Sequence, residues 1–134
     1  ICIHLCRGNF KSAWAAEGGY EPVAEVLFND LKVDGYFLEY DDARSGDFAP
    51  LRFVPREKIV VLGLVSTKLA QLETKDDIRR RIDEAARFMP LEQMCLSPQC
   101  GFSSTVHGNA IAVEAQRAKL ALVVDTANDV WGAQ

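Results

Sequence analysis

The sequence predicts an α/β fold in which parallel strands alternate with helices, and three observations carry that prediction. Short apolar, β-branched runs at residues 1–5, 35–40, 59–64 and 93–96 are each bounded by Gly, Pro, Asp or Lys, as strands are. Helical periodicity fills most of the intervals, giving the order β-α-β-loop-β-α-β-α. The run IVVLGLV is nearly continuous in apolar residues, which suits a strand covered on both faces in a parallel sheet. Right-handed crossovers then follow from strand twist. An open doubly wound sheet and a portion of a (β/α)8 barrel both fit this order. No GxGxxG or GxxxxGK turn follows any strand, so nucleotide-binding versions lose support.

Each helix has a local reason. Residues 20–31 place Val23, Val26, Leu27 and Leu31 at helical spacing. In residues 74–88, Thr74 is a natural N-cap, Asp76 and Asp77 occupy the first turn, and Arg87 lies near the end. Ile78, Ile82, Ala85 and Ala86 form its apolar stripe, and Pro90 follows the stop. The charged run at residues 75–81 reads as its solvated face. Residues 109–131 form a long, alanine-rich, amphipathic helix. Residues 41–58 (DDARSGDFAPLRFVPREK) hold two prolines and a glycine, and either replace a helix or extend a functional loop. Trp14 and Trp131 read as packing residues.

The bulk numbers bound the rest. With 134 residues the chain can build one core. Hydrophobic content of 49% and charged content of 25% are ordinary for a globular domain. A net charge of −4 argues against a nucleic-acid surface, which needs a basic face. The apolar stretches are too short to cross a bilayer. No signal peptide is visible, so a cytoplasmic protein with no membrane or nucleic-acid partner is expected. Ile1 already lies inside a strand-like run, and the chain reads as a fragment of a longer polypeptide. The four cysteines give no reason to expect a disulfide framework. Cys2 and Cys95 read as small, buried, inert side chains.

Cys2, His4 and Cys6 alternate in ICIHLCRGN. Residues two apart share a face of a strand, so His4 and Cys6 project together at the C-terminal end of the first strand. In an α/β barrel, chemistry sits at that end. Glu39 closes the second strand in GYFLEYDD, and Cys100 follows the fourth in LSPQCGF. Cys6 and Glu39 are 33 residues apart, about one strand–helix unit, and Glu39 and Cys100 are 61 apart, about two. All four would then face one rim. One His, two Cys and one Glu suit Zn²⁺ better than Mg²⁺ or Ca²⁺. The competing reading is a histidine bonded to backbone, with cysteines as small hydrophobes.

At these residues the chain resembles a family. IHLCRGN, the Glu39 strand end and LSPQCGF are similar to the C-terminal barrel of cobalamin-independent methionine synthase. EYDDARSGDFAPLRFVP followed by VVLGLVSTK resembles its short, single-barrel relatives, named as methyltetrahydropteroyltriglutamate–homocysteine methyltransferases. The likeness covers essentially the whole chain. It implies the C-terminal half of a (β/α)8 TIM barrel across residues 1–134, with the N-terminal half absent.

The resemblance also implies one zinc ion on His4, Cys6, Glu39 and Cys100, and methyl transfer to a small thiol, most simply homocysteine. Zinc deprotonates a coordinating thiol, and the thiolate is the reactive nucleophile. Three anionic protein ligands outweigh the dication, so electron density stays on sulfur. An entering thiol is expected to weaken or displace Glu39, the hardest ligand. The large synthase carries a histidine in a His-Ser-Pro run on the strand before the last. Here Val65 stands in that histidine's place and Ser66 in that serine's. The methyl donor is thus open between a methyl-folate, a methylated corrinoid protein and another donor. His107 could substitute as a proton carrier, against the plainer reading of a solvated loop histidine. Asp41, Asp42, Arg44 and Asp47 crowd the loop after Glu39, where they could orient the ligands or bind the amino-acid end of a substrate. Asn9 could hydrogen-bond near the first two ligands. Two other functions share this barrel: alkyl transfer or epoxide opening by another thiol, and a non-catalytic zinc site.

Overall fold

The structure, a computed structural model, describes residues 1–6, 9, 10, 13, 14, 18–103 and 108–132; the side chains of residues 9, 10, 13, 14 and 44 fall outside that description. Four strands form one parallel sheet: β1 (Cys2–Leu5), β4 (Gly35–Glu39), β5 (Ile59–Val65) and β6 (Met94–Pro98), adjacent in that order. A two-residue antiparallel pair, β2 (Asn9–Phe10) and β3 (Ala13–Trp14), follows β1. Three helices connect or flank the sheet: α1 (Ala24–Asn29), α2 (Lys75–Ala85) and α3 (Val113–Trp131). The parallel α/β reading of the sequence therefore holds. Among the described residues, no helix is long and apolar enough to cross a membrane.

Register assigns each side chain a face. His4 pairs with Phe37, Phe37 with Val61, and Val61 with Cys95. Two residues on, Glu39 pairs with Gly63 and Gly63 with Ser97. Paired residues share a face, so His4, Phe37 and Glu39 look the same way. The opposite face carries Tyr36, Leu38, Val60 and Leu62, all essentially buried. There they join Ala24, Leu27 and Phe28 of α1 and Ile78, Ile82 and Ala85 of α2 in one core. Each fully buried Leu, Ile or Phe contributes roughly 1.5–3 kcal/mol. On the site face Phe37 remains 39% exposed, and Cys2 and Cys95 are exposed, so the expectation that these two cysteines are buried fails. They lie on the face that α1 and α2 do not cover. None of the four cysteines is joined in a disulfide.

The helices differ from expectation in phase and length. Pro22 opens a 3-10 turn over Glu21–Val23, and α1 runs only six residues. Its buried face is Ala24, Leu27 and Phe28, while Val26 is 63% exposed. Lys58 satisfies carbonyls at its end: its buried ammonium donates to Phe28 O and Leu31 O and to the Tyr36 hydroxyl at 2.7–2.9 Å. In α2, Thr74 caps as expected, accepting from Asp77 N at 3.1 Å, but the helix ends at Ala85, leaving Arg87 and the exposed Ala86 beyond it. Residues 41–58 hold two short 3-10 turns, Ala43–Ser45 and Ala49–Phe53, in place of a helix. Phe48, Leu51 and Val54 bury there, so the segment does the packing work of a crossover helix.

α3 packs on β6 and α2. It begins at Val113, later than expected, and Asn109 lies before it, donating to Thr67 O at 3.0 Å. Its buried Lys119 donates to Gln71 O at 2.6 Å and Glu73 Oε2 at 2.7 Å. Trp131 is half-buried and donates from Nε1 to Leu91 O at 3.0 Å, a packing role.

Candidate metal and thiol site

Three strand ends build the site. β1 delivers His4 and, just past its end, Cys6; β4 delivers Glu39; the turn after β6 delivers Cys100. One donor atom from each of the four lies within 4.8 Å of the others. His4 Nε2 is 3.3 Å from Glu39 Oε1. The Cys100 backbone N–H donates to the same oxygen at 3.0 Å, and the Cys100 thiol donates to it as well. Gln99 Nε2 donates to the other oxygen, Glu39 Oε2, at 3.0 Å. Glu39 is 1% exposed, and burying a carboxylate is costly unless donors or cations surround it. His4 has a side chain 41% exposed, so the cluster is sealed beneath Glu39 and open beside His4. A cleft of about 440 Å³ opens onto it, lined among others by Phe37, Pro98 and Phe102.

This donor set fits a zinc ion. Zinc takes imidazole nitrogen, thiolate sulfur and carboxylate oxygen at about 2.0–2.3 Å, which puts tetrahedral neighbours roughly 3.3–3.8 Å apart. The His4–Glu39 separation already matches such an edge, and the 4.8 Å limit leaves only side-chain adjustment for the rest.

Two features of the scaffold keep this geometry. Gly63, beside Glu39 in the register, carries no side chain where one would be tight: a Cβ would lie 3.2 Å from Leu38 O, with Pro98 O at an ordinary 3.5 Å. The buried hydroxyl of Tyr20 joins the ends of β1 and β4, accepting from Glu39 N at 3.0 Å and donating to Leu5 O at 3.0 Å. Neither residue stood out in the sequence, nor did Gln99. Position next to Cys100 was the one available signal for Gln99. Tyr20 follows a Gly-Gly pair with nothing to mark its reach.

Among the described side chains, the other sequence candidates add no donor to this cluster. Asp41 and Asp42 line a separate cavity of about 550 Å³ with Ser66 and Lys68; Asp41 and Lys68 are both buried, 3.9 Å apart. Ser66 donates its backbone N–H to Glu73 Oε1 at 2.8 Å, and its hydroxyl donates to Gln99 Oε1 at 3.5 Å. Asp47 caps a turn by accepting from Ala49 N at 3.0 Å. Val65 is completely buried and its side chain offers no proton. The backbones of Asn9 and Arg44 are described but their side chains are not, and His107 lies outside the described residues.

A parallel α/β sheet that gathers its reactive side chains at the C-terminal ends of its strands has the layout of an α/β-barrel enzyme. The chain matches the family described as the cobalamin-independent synthase catalytic domain over residues 1–129, and it belongs to that family. Two Bacillus subtilis (strain 168) proteins, the uncharacterized YxjH and YxjG, are 59% and 58% identical to it over 132 residues. The alignment takes in 98% of this chain and 35% of each of theirs. A crystal structure of a candidate vitamin-B12-independent methionine synthase from Listeria monocytogenes superposes with a TM-score of 0.73 at 38% identity, over 98% of this chain and 35% of that one. A B12-independent methionine synthase from Shewanella sp. W3-18-1, in complex with selenomethionine, gives 0.75 at 20% identity, over 97% and 38%; at that identity the likeness establishes the fold.

Proposed function

We propose that this chain is the C-terminal part of a single barrel whose full-length protein is a cytoplasmic, zinc-dependent methyltransferase acting on a small thiol, most simply homocysteine to give methionine. The observation that carries this reading is the convergence of His4, Cys6, Glu39 and Cys100 on one point of the strand-end rim. These four residues would hold the zinc ion, which when bound keeps a coordinating thiol deprotonated at neutral pH. Cys6 and Cys100 supply soft, anionic donors. Glu39 is the hardest of the four and would be the one to yield to an entering sulfur. The exposed flank of His4 and the adjoining cleft leave an approach for that sulfur.

Closed four-ligand zinc sites are commonly structural. Here the ligands come from separate strand ends and border an open cleft, which favours chemistry. Val65 supplies no acid for a departing folate nitrogen, so the methyl donor is either a folate protonated from elsewhere or a different carrier. The uncovered face bearing Phe37 would turn to the barrel interior. Zinc analysis of the full-length protein and its Cys100→Ser variant, with a homocysteine methylation assay using several methyl donors, tests the reading. Stoichiometric zinc lost in the variant and methionine formed would support it; a metal-free, thiol-inert protein would overturn it.

A further inference from the structure

Gln99 occupies a place between two parts of the rim. Its Nε2 donates to Glu39 Oε2 at 3.0 Å, while its Oε1 accepts from Thr67 N at 3.4 Å and faces the Ser66 hydroxyl at 3.5 Å. Its own backbone N–H is fixed on Val65 O at 2.9 Å, and the residue is 5% exposed. The Ser66–Thr67 turn is itself braced: Glu73 holds Ser66 N, Lys119 holds Glu73, and Asn109 holds Thr67 O. The amide is thus clamped at both ends, with its donor side aimed at one carboxylate oxygen. The other oxygen, Oε1, faces His4 and Cys100.

We propose that Gln99 is the positioning residue for Glu39. Its amide engages Oε2 and so presents Oε1 to the metal as a single, readily surrendered donor. This rests on the zinc reading above. An oxygen held by a neutral amide is kept from swinging round to make a second bond to the ion. When a thiol enters and Oε1 withdraws, the same amide keeps the carboxylate beside the site, ready to return. Partners of this kind orient a ligand, and their loss commonly costs roughly 10–100-fold in metal affinity or activity.

The test uses Gln99→Met in the full-length protein, which keeps length and burial but removes the amide, both its N–H to Glu39 and its oxygen toward the Ser66–Thr67 turn. Gln93→Met is the control. Gln93 is equally buried and donates to Pro55 O and Lys58 O at 2.8–2.9 Å, at the opposite end of the sheet. Zinc affinity is measured by competition with a chromophoric chelator, and melting temperature alongside. The expected result is a 10–100-fold loss of zinc affinity in Gln99→Met and a change under about threefold in Gln93→Met, at similar losses of melting temperature. Equal affinities in wild type and Gln99→Met, or equal losses in both variants, would overturn the role of Gln99 while leaving the zinc reading standing. A wild-type protein that takes up no zinc would overturn both.

Discussion

The Tyr20 hydroxyl receives the backbone N–H of Glu39 and returns its own proton to Leu5 O, both at 3.0 Å. One phenol thereby ties the strand end that carries His4 and Cys6 to the one that carries Glu39. Tyr20→Phe keeps the ring tilted against Tyr40, whose centroid is 5.1 Å away, and removes only the hydroxyl. A buried backbone N–H losing its partner costs about 1–3 kcal/mol. Denaturant unfolding should register that loss, and zinc affinity should fall with it, because two ligand-bearing strand ends come untied. Unchanged stability would show that the hydroxyl is dispensable.

Gly63 answers to space rather than to backbone conformation. Gly63→Ala places a methyl 3.2 Å from Leu38 O, so the backbone of the neighbouring strand must give by a few tenths of an ångström next to Glu39. Overpacking of this kind costs about 1–3 kcal/mol. The expected outcome is a lower melting temperature together with weakened zinc binding, read by thermal denaturation and chelator competition.

Lys119 is wholly buried and bonds Gln71 O and Glu73 Oε2. Removing one partner of a buried, bonded pair leaves the other uncompensated. Glu73 is a quarter exposed, so water softens the penalty, and Lys119→Met should cost about 2 kcal/mol. Hydrogen exchange should rise first at Ser66 N, which Glu73 holds.

Thr74 and Asp77 cap α2 reciprocally. The Thr74 hydroxyl, and after it Arg80, hold the Asp77 carboxyl below the usual carboxylate range. A depressed folded-state pKa stabilises above the unfolded value and stops doing so as pH falls through the folded one. Thr74→Ala should therefore destabilise by about 1 kcal/mol at neutral pH, and by less in acid, where Asp77 is protonated in both proteins. Urea titrations at the two pH values would show the difference.

The sheet and the four gathered donors were legible because both follow from period and spacing. Alternation in ICIHLC fixes a common face for His4 and Cys6, and repeated strand–helix units bring Glu39 and Cys100 to the same rim. What the sequence concealed depends on long-range contact. The short α1 starts after a 3-10 turn opened by Pro22, and the carbonyls at its end are satisfied by Lys58, a residue from a later segment. The exposure of Cys2 and Cys95 follows from which sheet face the helices cover. Tyr20, Gly63 and Gln99 act on residues distant along the chain, and no local pattern marks such a role. Asp41 and Asp42 were grouped with the donors by proximity in sequence, yet the turn after Glu39 carries them to a different cavity.

X-ray absorption at the zinc edge of the full-length protein, recorded with and without homocysteine, bears on the core proposal most directly. One nitrogen, one oxygen and two sulfurs should surround the metal at rest, with a third sulfur gained and the Glu39 oxygen lost when the thiol is added. A coordination shell unchanged by the thiol, or lacking the two cysteine sulfurs at rest, would contradict it.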